Sequence, residues 1–338
     1  MKNKLFNILF LLVILSVQMY AQLYVSDVSK KGTTAAPFLS IPQGAKASAM
    51  GGAFVSVADD PSAMFWNPAG LTKVEGMGVM FDHTEWIADV RFNYIAASYS
   101  LGDLGNVGVS FTSSDIGEMG VTTIDEPEGT GEVFKASDVA VNLAYAIKLT
   151  DNFAIGISPK FISQSIWRMS ATGFAMDLGV QYTTPFDGII LGMSISNFGS
   201  KMQLNGNSTL TLIQIGEDTK VPAYLQTEEW ALPLNFRVGL AYQPIRTGQH
   251  KVTLALDAQH PNDNYESVNV GAEYMFNDFI AFRGGYNSLF LKESEQSFAL
   301  GFGLKQALLD NVVVRVDYSY QKFGRLTNVQ KFTLGINF

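Results

Sequence analysis

From about residue 76 to the end, the chain repeats segments of roughly ten residues in which apolar side chains alternate with small or polar ones, a period of two that belongs to strands. In 312–320, Val312, Val314, Val316, Tyr318 and Tyr320 share one face, and Val313, Arg315, Asp317 and Ser319 share the other. Phe174, Met176, Leu178, Val180 and Tyr182 likewise oppose Ala175, Asp177, Gly179 and Gln181, and Val268, Val270, Ala272, Tyr274 and Phe276 oppose Asn269, Gly271, Glu273 and Met275. The pattern predicts strands over 76–86, 91–101, 106–114, 137–149, 152–164, 171–184, 188–198, 231–243, 249–259, 264–276, 278–288, 295–306, 310–321 and 327–338. That is about fourteen, an even number, as closed bacterial barrels require.

The connections alternate as well. Tight links bearing Asp or Gly (Gly102 to Asn106, Asp151-Asn152, Phe186-Asp187, Asn277-Asp278, Asp310-Asn311) interleave with longer ones, notably 115–136 and 199–230. Short periplasmic turns and longer external loops are the habit of outer-membrane barrels, and they put both termini on the periplasmic side. A soluble sandwich or propeller would also give many short strands, but its polar face would carry more Lys and Glu. Here only 16% of residues are charged and the inferred inward face is rich in Gly, Ala, Ser and Asn. Trp86, Trp167, Trp230, Tyr242 and Tyr320 fall near strand ends, where aromatic girdles sit. Phe332, Leu334, Ile336 and the terminal Phe338 share a face of the last strand, an ending that resembles those of proteins handled by the barrel-assembly machinery.

The start of the chain has the grammar of a signal peptide: Lys2 and Lys4, an apolar run from Leu5 to Val17, then Gln18-Met19-Tyr20-Ala21 before polar sequence. Cleavage near Ala21 is expected, giving a signal peptide at 1–21, an N-terminal segment at 22–75 and a barrel at 76–338. Beyond it no apolar run reaches the roughly 20 residues of a spanning helix, so residence in a membrane has to be as a closed barrel. No cysteine is present, which removes disulfides, thiol chemistry and acylation of a lipoprotein cysteine. A net charge of −8 argues against a nucleic-acid partner.

Residues 44–72 break the strand rhythm with clustered Ala and Gly, Asp59-Asp60 and an Asn67-Pro68-Ala69-Gly70 turn. The Ala-rich halves suit short helices, with Asp59 or Asp60 capping a turn that starts at Pro61. Irregular backbone of this kind is best accommodated inside the lumen, surrounded by protein or water. The run Gly44-Ala45-Lys46-Ala47-Ser48-Ala49-Met50-Gly51-Gly52-Ala53, with Asp59-Asp60 and Trp66-Asn67-Pro68-Ala69-Gly70-Leu71, resembles the signature of the PorV/PorQ family of outer-membrane proteins. That family is similar in turn to the FadL-type fatty acid transporters, fourteen-stranded barrels with an N-terminal hatch carrying an Asn-Pro-Ala motif. The resemblance implies an all-β, FadL-like transmembrane antiparallel barrel with a short helical hatch, Asp59, Asp60, Trp66, Asn67, Pro68 and Gly70 marking the hatch motif. It also implies the outer membrane of a Gram-negative-type bacterium and a role with the type IX secretion system, whose PorV member accompanies the translocon and handles cargo through its C-terminal signal domain.

Lys160, Arg237, Arg283 and Arg315 are inferred to face inward with Asp177, Asp257, Glu273 and Asp317. Pairing with one another or with the hatch is the expected use of such charges, since an unpaired buried charge is costly; binding a solute is the alternative. Asp59 and Asp60 suit contacts with these arginines as well as caps. Histidines 83, 250 and 260 sit in separate segments, and no nucleophile elbow or phosphate loop appears. No catalysis, metal or cofactor is expected. Residues 115–136 read as a solvated acidic loop, or as a lid for a partner.

Two functions remain open. A secretion accessory, with a type IX translocon and secreted cargo as partners, needs an exposed apolar patch. Tyr224, Leu225 and Trp230 offer one, or they cap the barrel mouth. A passive transporter of hydrophobic small molecules needs an apolar pocket below the external loops, with Phe111 and Met119 as candidate linings, and a strand kink for which Gly108 is the candidate.

Overall fold

A computed structural model of the chain describes residues 30–215, 219–291, 294–309 and 311–338. The expected signal peptide at 1–21 and the residues up to 29 lie outside the described residues.

Fourteen long antiparallel strands close into one barrel. In chain order they are β1 Met77–Glu85, β2 Arg91–Ser100, β3 Asn106–Asp115, β4 Val133–Thr150, β5 Phe153–Ile166, β6 Met169–Thr183, β7 Ile189–Gly199, β8 Asn235–Arg246, β9 His250–Pro261, β10 Ser267–Phe276, β11 Ile280–Leu289, β12 Gln296–Leu309, β13 Val312–Phe323 and β14 Val329–Asn337. Each pairs with its neighbours in sequence, and β1 closes the ring on β14, with Met80 opposite Gly335. Closure leaves no free sheet edge and satisfies the ladder hydrogen bonds internally, the condition for backbone in hydrocarbon. Every strand expected from the alternation is present, most with bounds within three residues.

The period of two becomes a division into two surfaces. Phe81, Ile95, Val109, Leu256, Leu300, Phe302, Val316 and Leu334 point outward and are exposed, while Asp82, Ala96, Ser110, Asp257, Gly301, Asp317 and Thr333 point inward. An apolar wall of this extent on all sides belongs in lipid. Trp86 departs from the expected girdle: it is half-buried at the long-loop mouth, packing edge-on against Phe92 and Phe323, which are themselves buried.

The N-terminal segment fills the lumen. Its described start lies at the long-loop mouth, where the Ala35 amide donates to Ala231 O and the Ala36 amide to Gln164 Oε1. It then descends through a 3-10 turn at Pro37–Ser40, α1 at Ala45–Ala49, α2 at Ala63–Trp66 and a second 3-10 turn at Pro68–Lys73, entering β1 at the short-turn mouth. The C-terminal end of β14 is at that same mouth, as expected of a periplasmic C-terminus, whereas the N-terminus expected there lies outside the described residues, which enter the lumen from the opposite mouth. Period-two patterning cannot reveal a threaded direction.

Two connections carry strands the alternation did not predict. Glu118–Gly120 extends the sheet against Val133–Lys135. Between β7 and β8, Leu210–Ile215 pairs with Thr219–Tyr224 as a hairpin outside the barrel, and Met202–Gln203 pairs with Glu229–Trp230 beneath it.

Candidate functional site

The candidate site is the lumen with its N-terminal plug, together with the loop hairpin above it. Plug and wall approach each other closely because the lumen face carries glycines where they meet. A Cβ on Gly271 would lie 2.3 Å from Met50 O, one on Gly285 2.3 Å from Gly51 N, one on Gly192 2.5 Å from Val55 O and one on Gly156 2.4 Å from Ala69 N. Opposite them the chain reverses through Gly51 and Gly52, both left-handed at φ 64° and 73°, a conformation glycine adopts without steric cost.

Plug amides and carbonyls find their partners on barrel side chains, as buried backbone groups must. Asp257 Oδ2 accepts from Phe54 N at 2.7 Å and Val55 N at 2.8 Å. Asp82 Oδ2 accepts from Gly44 N at 3.1 Å, and Thr333 Oγ1 from Ala45 N at 2.8 Å. Gln181 Nε2 donates to the carbonyls of Val55, Ser56 and Ala58. Lys331 Nζ donates to Pro42 O and Thr84 Oγ1.

Each hatch-motif residue has a structural partner. Asn67 Nδ2 donates to Val55 O and Val180 O, both at 2.9 Å, while its Oδ1 accepts from Ala69 N at 3.2 Å, capping the turn that begins at Pro68. Pro68 sits against Gly156 and Gly179, and a Cβ on Gly70 would meet Ala58 O at 2.6 Å. Trp66 donates from Nε1 to Gln43 O at 2.8 Å and packs edge-on against Phe54 and Phe65. Asp60 caps through Oδ1, accepting from Ser62 N, and its Oδ2 meets Arg315 Nη2 at 2.6 Å. Asp59 turns to Lys46 at 2.7 Å. Burial works against charge on both members of that pair, but mutual attraction prevails, holding the Lys46 ammonium above and the Asp59 carboxyl below its ordinary value.

The inward charges come together in three groups. Lys160 and Asp177 pair at 2.8 Å, with Asn197 bonded to both where β7 bulges. Arg283 bridges Glu273 at 2.6 Å and Asp317 at 2.7 Å, and Arg315 links Asp317 at 2.8 Å to the plug through Asp60. Arg237 and Asp257 instead address the plug. The Arg237 guanidinium lies 5.2 Å from the Trp66 ring centroid and 5.7 Å from that of Phe65, a cation over aromatic faces. Lys46, Asp82, Gln181, Lys331 and Thr333 complete the network; of these Asp82, Lys331 and Thr333 escaped the sequence reading, and their inward strand register was the available signal.

Two expected transporter features are not where that reading put them. Phe111 is on the outer wall, exposed between inward-facing Ser110 and Thr112. Gly108 faces the lumen against Met64 and Leu71, and β3 keeps its register with both neighbours, so it packs the plug and makes no kink. Met119 sits in the short strand paired to β4, and the large apolar recess of about 510 Å³ opens on the outer wall among Tyr145, Ile157, Leu178, Met193, Ile195 and Phe236.

At the long-loop end the hairpin is apolar on both faces. Leu210, Leu212, Ile213, Ile215, Tyr224 and Leu225 are exposed, Leu212 at 64% and Tyr224 at 63%, and Trp230 is exposed at its base. The histidines stay apart, His83 bonded to Asn93, His250 to Tyr274 and His260 to Glu266. Among the described residues no three His, Cys, Asp or Glu side chains are grouped to hold a metal.

A family model described as type IX secretion system protein PorV matches residues 26–260. Among curated proteins no significant match is found. Solved structures of similar fold include the CymD monoaromatic hydrocarbon channel (16% identity, 87% of this chain and 96% of that one, TM-score 0.55). The Pseudomonas putida toluene transporter TodX matches at 13% identity over 86% of this chain and 96% of its own, TM-score 0.56. A Pseudomonas aeruginosa FadL homologue matches at 13% over 88% and 98%, TM-score 0.53. At such identities the likeness is one of fold.

Proposed function

Since the chain belongs to the PorV family of type IX secretion system proteins, matched over residues 26–260, and is an outer-membrane barrel of FadL-like fold, we propose that it serves type IX secretion as a non-enzymatic accessory, docking on the translocon or receiving the C-terminal domains of cargo. The observation that carries this reading is the loop hairpin Leu210–Tyr224. Its two strands bury neither face against the barrel, and Leu212, Ile213, Ile215 and Tyr224 stand exposed. Isolated two-stranded hairpins are marginal in water, so an apolar one on a loop gains most from a protein partner. The plug supports the same reading: a lumen crossed by a segment bonded to Asp82, Asp257, Arg315 and Lys331 is scaffold more than conduit.

The test is a pull-down of the tagged protein from outer membranes in mild detergent, with mass spectrometry of proteins and extracted lipids. Recovery of a large translocon barrel, or of secreted proteins sharing a C-terminal domain, supports the role. Replacing Leu212 and Tyr224 together by Asp should abolish that recovery without altering assembly. Recovery of the barrel alone with a bound apolar molecule overturns it.

Passive transport of hydrophobic molecules is the second reading, favoured by the hydrocarbon-channel fold relatives. It requires the plug to part from the wall. Phe111 on the lipid face and a regular β3 at Gly108 count against it.

A further inference from the structure

We infer that the short-turn mouth of the lumen is a binding site for a phosphate-class anion, free or carried on a lipid headgroup. A cavity of about 310 Å³ opens there beneath the plug, near the small end of the range typical of ligand pockets. Four cations line it: Lys46 and Lys73 from the plug, Arg246 near the end of β8 and Lys251 near the start of β9. Arg246 and Lys251 are register partners, which sets their two charges side by side on the inward face.

The two carboxylates in the wall are already committed. Asp59 is paired to Lys46, and Glu273 to Arg283. Lys73, Arg246 and Lys251 make no ion pair among the described residues. The lining therefore carries four cations against two carboxylates, an excess of two positive charges. A phosphate monoester carries about −1.5 to −2 near pH 7 and offers three acceptor oxygens, so it answers that excess where a single carboxylate leaves half of it standing. Thr183, Gln243 and Thr253 add neutral hydrogen-bonding groups to the same wall.

The cluster is under electrostatic load without a ligand. Burial, and then the charges of Lys46, Lys251 and Lys148, push the Lys73 ammonium down to about 8 despite the opposing pull of Asp59. The arrangement is independent of the secretion role, since it lies at the opposite mouth from the loop hairpin.

The experiment is isothermal titration of the full-length protein in non-ionic detergent with inorganic phosphate, at ionic strength held constant with potassium chloride. The wild type should bind at one saturable site. Joint substitution Lys73→Gln and Lys251→Gln should weaken it at least tenfold, Lys73→Arg with Lys251→Arg should retain it, and Lys135→Gln at the far mouth should leave it unchanged. A second arm uses nanodiscs: retention of phosphatidic acid, whose headgroup is a phosphate monoester, over phosphatidylcholine in native mass spectrometry, lost in the Gln pair, identifies the headgroup as the source. Heats that do not saturate, or that are the same in the Gln pair as in the wild type, overturn the site. So does phosphatidic acid retention that the Gln pair leaves unchanged. If the Gln pair fails to assemble, the Arg pair decides against wild type, because a site built on charge survives that exchange.

Discussion

Replacing Asp257 by Ala should loosen the plug and spare the barrel. Asp257 lies on the inward face of β9, is fully buried, and spends one oxygen on the amides of Phe54 and Val55 at 2.7 and 2.8 Å. Alanine leaves both amides without a partner in a site shut off from water. Each buried, unsatisfied donor costs about 1–3 kcal/mol, so the plug stands to lose about 2–6 kcal/mol locally. At about 1.4 kcal/mol per tenfold, the amides of Phe54 and Val55 should exchange at least about 25-fold faster. The ladders of β9 with β8 and β10 do not involve this side chain and hold the wall. Hydrogen exchange with mass spectrometry on peptides covering 50–60 reads the effect, with wall peptides from β9 as the internal control. Asp257→Asn, which keeps one acceptor oxygen, should fall between. Unchanged exchange in Asp257→Ala, or equal acceleration in plug and wall, would refute the anchoring argument.

Gly285→Val should displace the plug reversal, because its Cβ would lie 2.3 Å from Gly51 N; barrel formation by heat-modifiable migration should persist while protease sensitivity rises within 44–60. Leu256→Arg on the outer wall of β9 should cost about 2–4 kcal/mol of folding free energy in lipid vesicles, as a cation near the bilayer midplane does, and an effect near zero would contradict its lipid exposure. The Lys46–Asp59 contact should hold the plug across the neutral range. Its Asp59 share is present above the usual carboxylate pKa of about 3.9 and goes as pH falls through the lower folded value, while its Lys46 share is present below about 10.4 and goes as pH rises through the higher one. Plug exchange, corrected for intrinsic rates, should therefore speed up only below about pH 4 and above about pH 10; a midpoint near neutrality would contradict it. Lys73 adds a drift of opposite sign, since the cost of its charge is relieved as pH climbs beyond about 8.

The strands were legible because each one buries a single face, and a face one residue out of register would put Asp257 or Asp317 into lipid. The same rule places Phe111, with Val107 and Val109, on the outer wall; assigning it to a pocket overrode the alternation. Residues 210–224 show why the loop hairpin escaped. Leu212, Ile213 and Ile215 run together because neither face is buried, so no period of two is imposed. The inward sign of Lys160, Arg283 and Arg315 could be read, but their partners could not. Arg283 meets Glu273 by simple cross-strand register, whereas Asp60 reaches Arg315 across 255 residues through the threading of the plug. The Asn67-Pro68-Ala69-Gly70 motif stood out, and its reason is spatial: Gly156 and Gly179 on the wall make room for it.

The most direct test of the docking claim places a photo-crosslinking residue at Leu212 or Tyr224 of the full-length protein in native outer membranes, with Leu256 as the lipid-facing control. Adducts to a secretion-system barrel or to a cargo C-terminal domain from the hairpin positions, and to lipid alone from position 256, are what the account predicts. Hairpin positions that capture only lipid or nothing, in a protein that is folded and in place, would contradict it.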